Sequence, residues 1–228
     1  MAPDICFSSG NRCHDTVVLI HGLGRTSRSF SRMENHLRQR GYGVLNLDYP
    51  SRRYDIRTLT TRFIRSDLMD HGVDQVKKVH FVTHSMGGII LRDYLNRYPM
   101  NNIGRVVMLS PPNQGSEVVD FLKGRTIARR VMGPAFGQLG TGPEGFVHTL
   151  GRVDAEVGII AGNRSINWIN STRIPGDDDG KVSVARTRLE NMKDFMVVKR
   201  THTFIMKADE VLEAVVHFIV KGRFREPD

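Results

Sequence analysis

Residues 79–95 read VHFVTHSMGGIILRDYL, and the change of pattern at their centre decides the fold. Val79–Thr83 is a short, β-branched, continuously apolar run, which fits a strand covered on both faces. A helical pattern over Met86–Tyr98 follows and is stopped by Pro99. Between them, His84-Ser85-Met86-Gly87-Gly88 leaves no length for an ordinary loop. A strand that turns directly into a helix at a serine exposes the hydroxyl at the strand's carboxyl end, in the geometry of a nucleophile elbow. Small residues flank Ser85 because the strand and helix backbones crowd there. The pattern is Thr-x-Ser-x-Gly, with Thr83 where glycine is usual. His80 reads as a hydrogen-bonded core histidine, and His84 as a flank directed away from the serine.

The same rhythm extends in both directions. Thr16–Ile20, Gly43–Leu47, Arg105–Ser110, Val157–Ala161 and Phe195–Lys199 also read as buried strands. Amphipathic segments alternate with them: Arg28–Arg40 with Gly41 behind it, Ile56–Leu68 and Ala208–Val220. Alternating β and α elements predict one α/β domain, a mostly parallel central sheet with helices on both faces. No G-x-G-x-x-G follows the first strand, so a dinucleotide fold is excluded. Pro111 to Gly151 breaks the rhythm: it is Gly- and Pro-rich with scattered apolar residues, and long for a plain connection. It is expected to hold one or two short helices and to roof the site as a lid or pocket insertion.

After the first strand comes His21-Gly22-Leu23-Gly24. Acyl transfer needs two backbone N–H groups aimed at the developing oxyanion. Met86, directly after the serine, supplies one, and Leu23 in this glycine-rich turn is the candidate for the other. His21 is read as ordering that turn rather than reacting.

HGLG followed by THSMGG resembles the α/β-hydrolase superfamily, in particular its small bacterial lipase and esterase members. SPPNQGSE, after the next strand, resembles the corresponding segment of several bacterial lipases, and the likeness spans about residues 16–205. The resemblance implies an α/β-hydrolase fold with a minimal cap. It also implies a Ser–Asp–His triad in that chain order and cleavage of carboxylic esters through an acyl-enzyme. Such lipases often carry Asn-Asp-Gly-x-Val before the histidine. That maps onto Asp178-Asp179-Gly180-Lys181-Val182 and makes Asp179 the implied acid, with Asp177 and Asp178 as neighbouring alternatives. His202, after the last strand and before the last helix, stands where the family places its base.

Composition narrows the partners. The net charge of +9 fits a soluble basic surface, an anionic substrate or transient contact with a lipid surface. No Lys/Arg block is interleaved with aromatics, which argues against nucleic acid. No Cys/His cluster has metal-ligand spacing, and the implied chemistry requires no cofactor. Cys6 and Cys13 could close a small disulfide loop in an oxidising compartment. The start carries no apolar run of signal length, which leans to the cytoplasm, with a secreted or periplasmic mature form as the alternative. The expected substrate is a small acyl ester or a lipid. A thioesterase, acyltransferase or amidase would use the same triad, and a noncatalytic binding protein would keep only the scaffold.

Overall fold

The computed structural model describes residues 15–124, 126–143, 145–165 and 174–224, so Cys6, Cys13 and their expected disulfide lie outside the described residues. Among the described residues, six strands form the sheet: β1 (Thr16–Ile20), β2 (Gly43–Leu47), β3 (Val79–His84), β4 (Ile103–Leu109), β5 (Glu156–Gly162) and β6 (Asp194–Val198). All pairings are parallel, in the order β2-β1-β3-β4-β5-β6.

The apolar runs are continuous because successive side chains enter different cores. Val17 and Leu19 belong to one cluster with Val82 and Val107; Val18 and Ile20 belong to the other with Phe81 and Val106. Over the first face lie α1 (Ser31–Gln39), through Met33 and Leu37, and the C-terminal helix Asp209–Lys221. Over the second lie Ile89, Ile90 and Leu91 of the helix Met86–Arg97, together with Ile56, Leu59 and Ile64. Strand β6 departs from the expected pattern. Among the described residues it pairs with β5 alone, and Val197 is 42% exposed, as suits an edge strand with one face partly in water.

The helix expected over Ile56–Leu68 forms as α2 (Ile56–Thr58), a π-helical stretch Leu59–Ile64 and α3 (Arg65–Asp70). Thr60 and Thr61 donate their hydroxyls to the carbonyls of Ile56 and Arg57, competing with the backbone for the i−4 acceptors. The Arg65 N–H accordingly reaches back to Thr60 O, five residues away.

The segment after β4 is more helical than its sequence pattern indicates. After α4 (Met86–Arg97), it holds α5 (Glu117–Lys123), α6 (Thr126–Met132), α7 (Pro134–Gly137) and a 3-10 turn at Phe146–Thr149. Buried Arg92 of α4 holds both of its ends, donating to Asn113 O at 3.0 Å and to Leu150 O at 2.9 Å. The last helix, α8 (Asp209–Lys221), begins with Asp209 and Glu210 and ends with Lys221, the polarity its dipole favours.

The strand order has a functional consequence. The chain leaves β1 for β2 on one side and returns as β3 on the other, which opens a crevice at the carboxyl ends of β1 and β3. Ser85 and the HGLG turn sit at those two ends.

Behind the sheet, Phe218 fills the space that Gly158 leaves. A Cβ on Gly158 would come within 2.6 Å of both Phe218 and Phe224. Phe218→Ala, which empties a fully buried site, is expected to lower unfolding free energy by about 3–5 kcal/mol. Urea denaturation would measure this, and an unchanged midpoint would contradict the packing described.

Candidate active site

Ser85 sits at φ 53° and ψ −124°, a backbone region that residues with a side chain rarely occupy. Its N–H is bonded to Leu109 O at 2.9 Å, and its carbonyl accepts from Gly88 N at 3.0 Å, so the turn is tied to β4 and to α4. The glycines are required by contact. A Cβ on Gly87 would lie 2.2 Å from the carbonyl oxygen of Ile20, and one on Gly22 would lie 3.1 Å from Ser85 Cβ. Gly87 therefore has no room for a side chain, and Gly22 makes a tight fit of the HGLG turn against the serine.

His202 and Asp179 come from loops after β6 and β5 and meet the serine at the sheet edge. Ser85 Oγ lies 2.9 Å from His202 Nε2, and His202 Nδ1 lies 2.8 Å from Asp179 Oδ2. The carboxylate can only accept, so Nδ1 carries the proton and Nε2 is left to accept from the hydroxyl. The Lys181 and Val182 N–H groups donate to Asp179 Oδ1 at 3.1 and 3.0 Å, fixing the carboxylate with its other oxygen toward the ring. The His202 N–H donates to Asp179 O at 2.9 Å, joining the two loops a second time. Burial pushes the Asp179 carboxyl up. The His202 charge and hydrogen bond, the Ser110 hydroxyl and the Val182 N–H outweigh it and hold the carboxyl below its ordinary value. Of the three consecutive acids, Asp177 is exposed and Asp178 accepts from Gly180 N at 2.6 Å; Asp179 alone meets the histidine.

The two expected backbone donors flank this arrangement. Met86 is the first residue of α4, where N–H groups have no intrahelical acceptor. In the HGLG turn, Gly24 N donates to Ser51 Oγ and Arg25 N to Gly22 O. Leu23 N–H takes no acceptor among the described residues. His21 stacks on Tyr49 at 4.1 Å, its Nδ1 is bonded to Gly22 O, and the Tyr49 hydroxyl donates to the His21 carbonyl. That histidine is part of the frame of the turn.

A sequence model of the alpha/beta hydrolase family matches residues 17–204. The chain belongs to that family. Among solved structures, it is similar to a Bacillus licheniformis lipase in mature form, with 21% identity over 92% of this chain and 93% of that one, at a TM-score of 0.73. A metagenomic carboxyl esterase shares 16% identity over 86% of this chain and 66% of that one, at 0.64. The phospholipase PlaB of Legionella pneumophila shares 19% over 77% of this chain and 46% of its own, at 0.61. At such identities the likeness carries the fold.

In this alpha/beta hydrolase, two contributors escape the sequence reading. The His84 ring is not directed away. Its centroid lies 4.8 Å from that of His202, and its Nε2–H donates to the His202 carbonyl at 2.9 Å. Burial, then the His202, Lys181 and Arg25 charges, hold its pKa well below the ordinary 6.5 despite that hydrogen bond. Ser110, at φ 45° and fully buried, accepts from Gly162 N and leans its hydroxyl on Asp179. Its only sequence signal is its place at the head of SPPNQGSE. Among the described residues there is no cluster of three or more His, Cys, Asp or Glu that could hold a metal ion, and no helix long and apolar enough to cross a membrane.

Two outcomes are expected. Gly87→Ala drives a Cβ into Ile20 O and should lower Tm, whereas Gly137→Ala, with nothing within 4 Å, should leave Tm level or raise it. Calorimetry of the pair tests the crowding. Stability should also fall as pH drops below 6.5, because burial depresses His21, His80 and His84 in the folded protein. In that window the unfolded chain takes up protons that the folded chain refuses. Tm measured between pH 7 and 5 should decline, and His84→Gln should flatten the decline.

Proposed function

We propose that this alpha/beta hydrolase cleaves carboxylic esters, with Ser85 as nucleophile, His202 as general base and acid, and Asp179 as the acid that orients the histidine. The observation that carries the reading is the unbroken run of hydrogen bonds, 2.9 Å from Ser85 to His202 and 2.8 Å from His202 to Asp179. As Ser85 Oγ adds to the ester carbonyl carbon, its proton passes to His202 Nε2, and Asp179 stabilises the resulting imidazolium. The carbonyl oxygen, now negative, is received by the N–H groups of Leu23 and Met86. Collapse of the adduct breaks the bond to the alkoxide, which takes the proton from His202. Water then repeats the sequence on the acyl-enzyme and regenerates the serine. No metal or cofactor enters these steps.

The acyl chain is assigned to the cleft beside Ser85, walled by Val118, Val119, Met132, Phe136 and Leu139. In this reading residues 111–151 form the wall and minimal cap of a single catalytic domain. The lipase, carboxyl esterase and phospholipase names of the similar structures support an ester or lipid substrate.

The test is hydrolysis of p-nitrophenyl esters from acetate to palmitate. Ser85→Ala and His202→Ala are each expected to lower kcat by at least about a thousandfold with the fold retained by circular dichroism, and Asp179→Asn to act in the same direction. Substantial activity in either of the first two variants would overturn the assignment. Matched oxygen ester, thioester and amide should rank in that order, and a thioester preferred over the oxygen ester would move the reading to a thioesterase.

A further inference from the structure

The cleft beside Ser85 has two unlike sides. One is the apolar wall of α5–α7. The other carries Arg25, directly after the HGLG turn, and Lys181, two residues after Asp179; no acidic side chain lines the cleft among the described residues. Arg52 adjoins them. Its guanidinium lies over the HGLG turn, where a Cβ on Gly24 would be 2.8 Å from it. Its backbone is wedged under the cap, where a Cβ on Gly133 would meet Arg52 O at 1.8 Å. Both glycines have positive φ, so the turn, the cap and Arg52 are fitted to one another.

None of these three side chains has a carboxylate or hydrogen-bond partner among the described residues. Some cations elsewhere, though not all, do have such partners: Arg32 with Asp209, Arg97 with Asp93, Arg105 with Glu156 and Arg200 with Glu210. The three also feel one another. Surrounding protein, then the Arg25 and Arg52 charges, press the Lys181 ammonium below the ordinary lysine value, with Asp179 opposing. Gathering like charges without a counter-ion raises the energy of the free protein, and an arriving anion relieves it.

We infer that the substrate's alcohol side bears an anionic group, a phosphate or carboxylate, received by Arg25, Arg52 and Lys181. The inference rests on the ester-hydrolase reading for its placement. An ester has two arms at its carbonyl carbon. With the acyl arm against the apolar wall, the alkoxide arm is left facing Arg25 and Lys181. Two of the three are arginines, whose planar donors suit phosphate and carboxylate oxygens. An anion on a soluble ester and one on a lipid headgroup present the same chemistry here.

The experiment compares kcat/KM for the octanoyl ester of a hydroxy-nitrobenzoic acid, whose leaving nitrophenolate bears a carboxylate, with that for its neutral methyl ester. The wild-type protein is expected to favour the anionic ester by about tenfold or more. Arg25→Gln and Lys181→Gln should each pull the ratio toward unity, as should added salt. A wild-type ratio at or below unity overturns the inference, as does a ratio unchanged in the Arg25→Gln/Arg52→Gln/Lys181→Gln variant. Short-chain phosphatidylglycerol against phosphatidylcholine, as monomers and in vesicles, separates the sources. Preference for the anionic headgroup only in vesicles assigns the lipid surface, and preference already as monomers assigns the ester itself. Calorimetric binding of octyl phosphate needs no turnover, so it separates the two readings. Cation-dependent binding without cleavage of either ester overturns the hydrolase reading and keeps the anion site; equal cleavage of both esters without binding does the reverse.

Discussion

Between the α-carbon of Gly87 and the carbonyl oxygen of Ile20 there is room for a hydrogen atom and for no methyl group. That contact seats the first turn of α4 against the end of β1. Ser85 is thereby brought beside the turn that carries Leu23, and the serine's backbone is held at φ 53°. The amino end of α4 stands at the crevice that the sheet order opens. His202 and Asp179 are then supplied by loops that follow strands lying further along the same edge. Each piece is ordinary α/β architecture; their meeting depends on two backbones approaching closer than side chains permit.

Much of this is legible in the sequence because it is written in local pattern. β1 to β5 announce themselves as apolar runs, since each is packed on both faces, and the Thr83-His84-Ser85-Met86-Gly87 turn is fixed by the strand and helix around it. β6 is misread as covered on both faces because its apolar composition does not reveal that it lies at the edge. The π-helical stretch is missed because hydrophobic spacing is blind to threonine hydroxyls that take the i−4 carbonyls. Among the three aspartates, the choice needed the family pattern; composition alone left Asp177 and Asp178 in contention. His84 and Ser110 were invisible as contributors because their partners, His202 and Asp179, are distant in the chain.

The electrostatics of the site divide along the same line. Asp179 is buried, yet it is held ionisable by donors from its own loop and by His202, so its charge belongs to the fold. Among the described residues, Arg25, Arg52 and Lys181 have no such provision. One set of charges is satisfied internally and the other is turned outward, beside the same serine.

Arg92 gives the segment over the cleft a closed neck. One guanidinium, buried in α4, bonds the carbonyls of Asn113 and Leu150, so nearly the whole excursion from β4 to β5 is gathered at a single clasp. Lengthening a loop whose ends are already joined changes its closure entropy slowly, by only about 0.6 kcal/mol for each doubling. Length can therefore be added between the clasped ends at small cost in closure entropy, while Val119, Phe136 and Leu139 keep the segment seated on the core. Such a neck lets one sheet carry cleft walls of different length over evolutionary time.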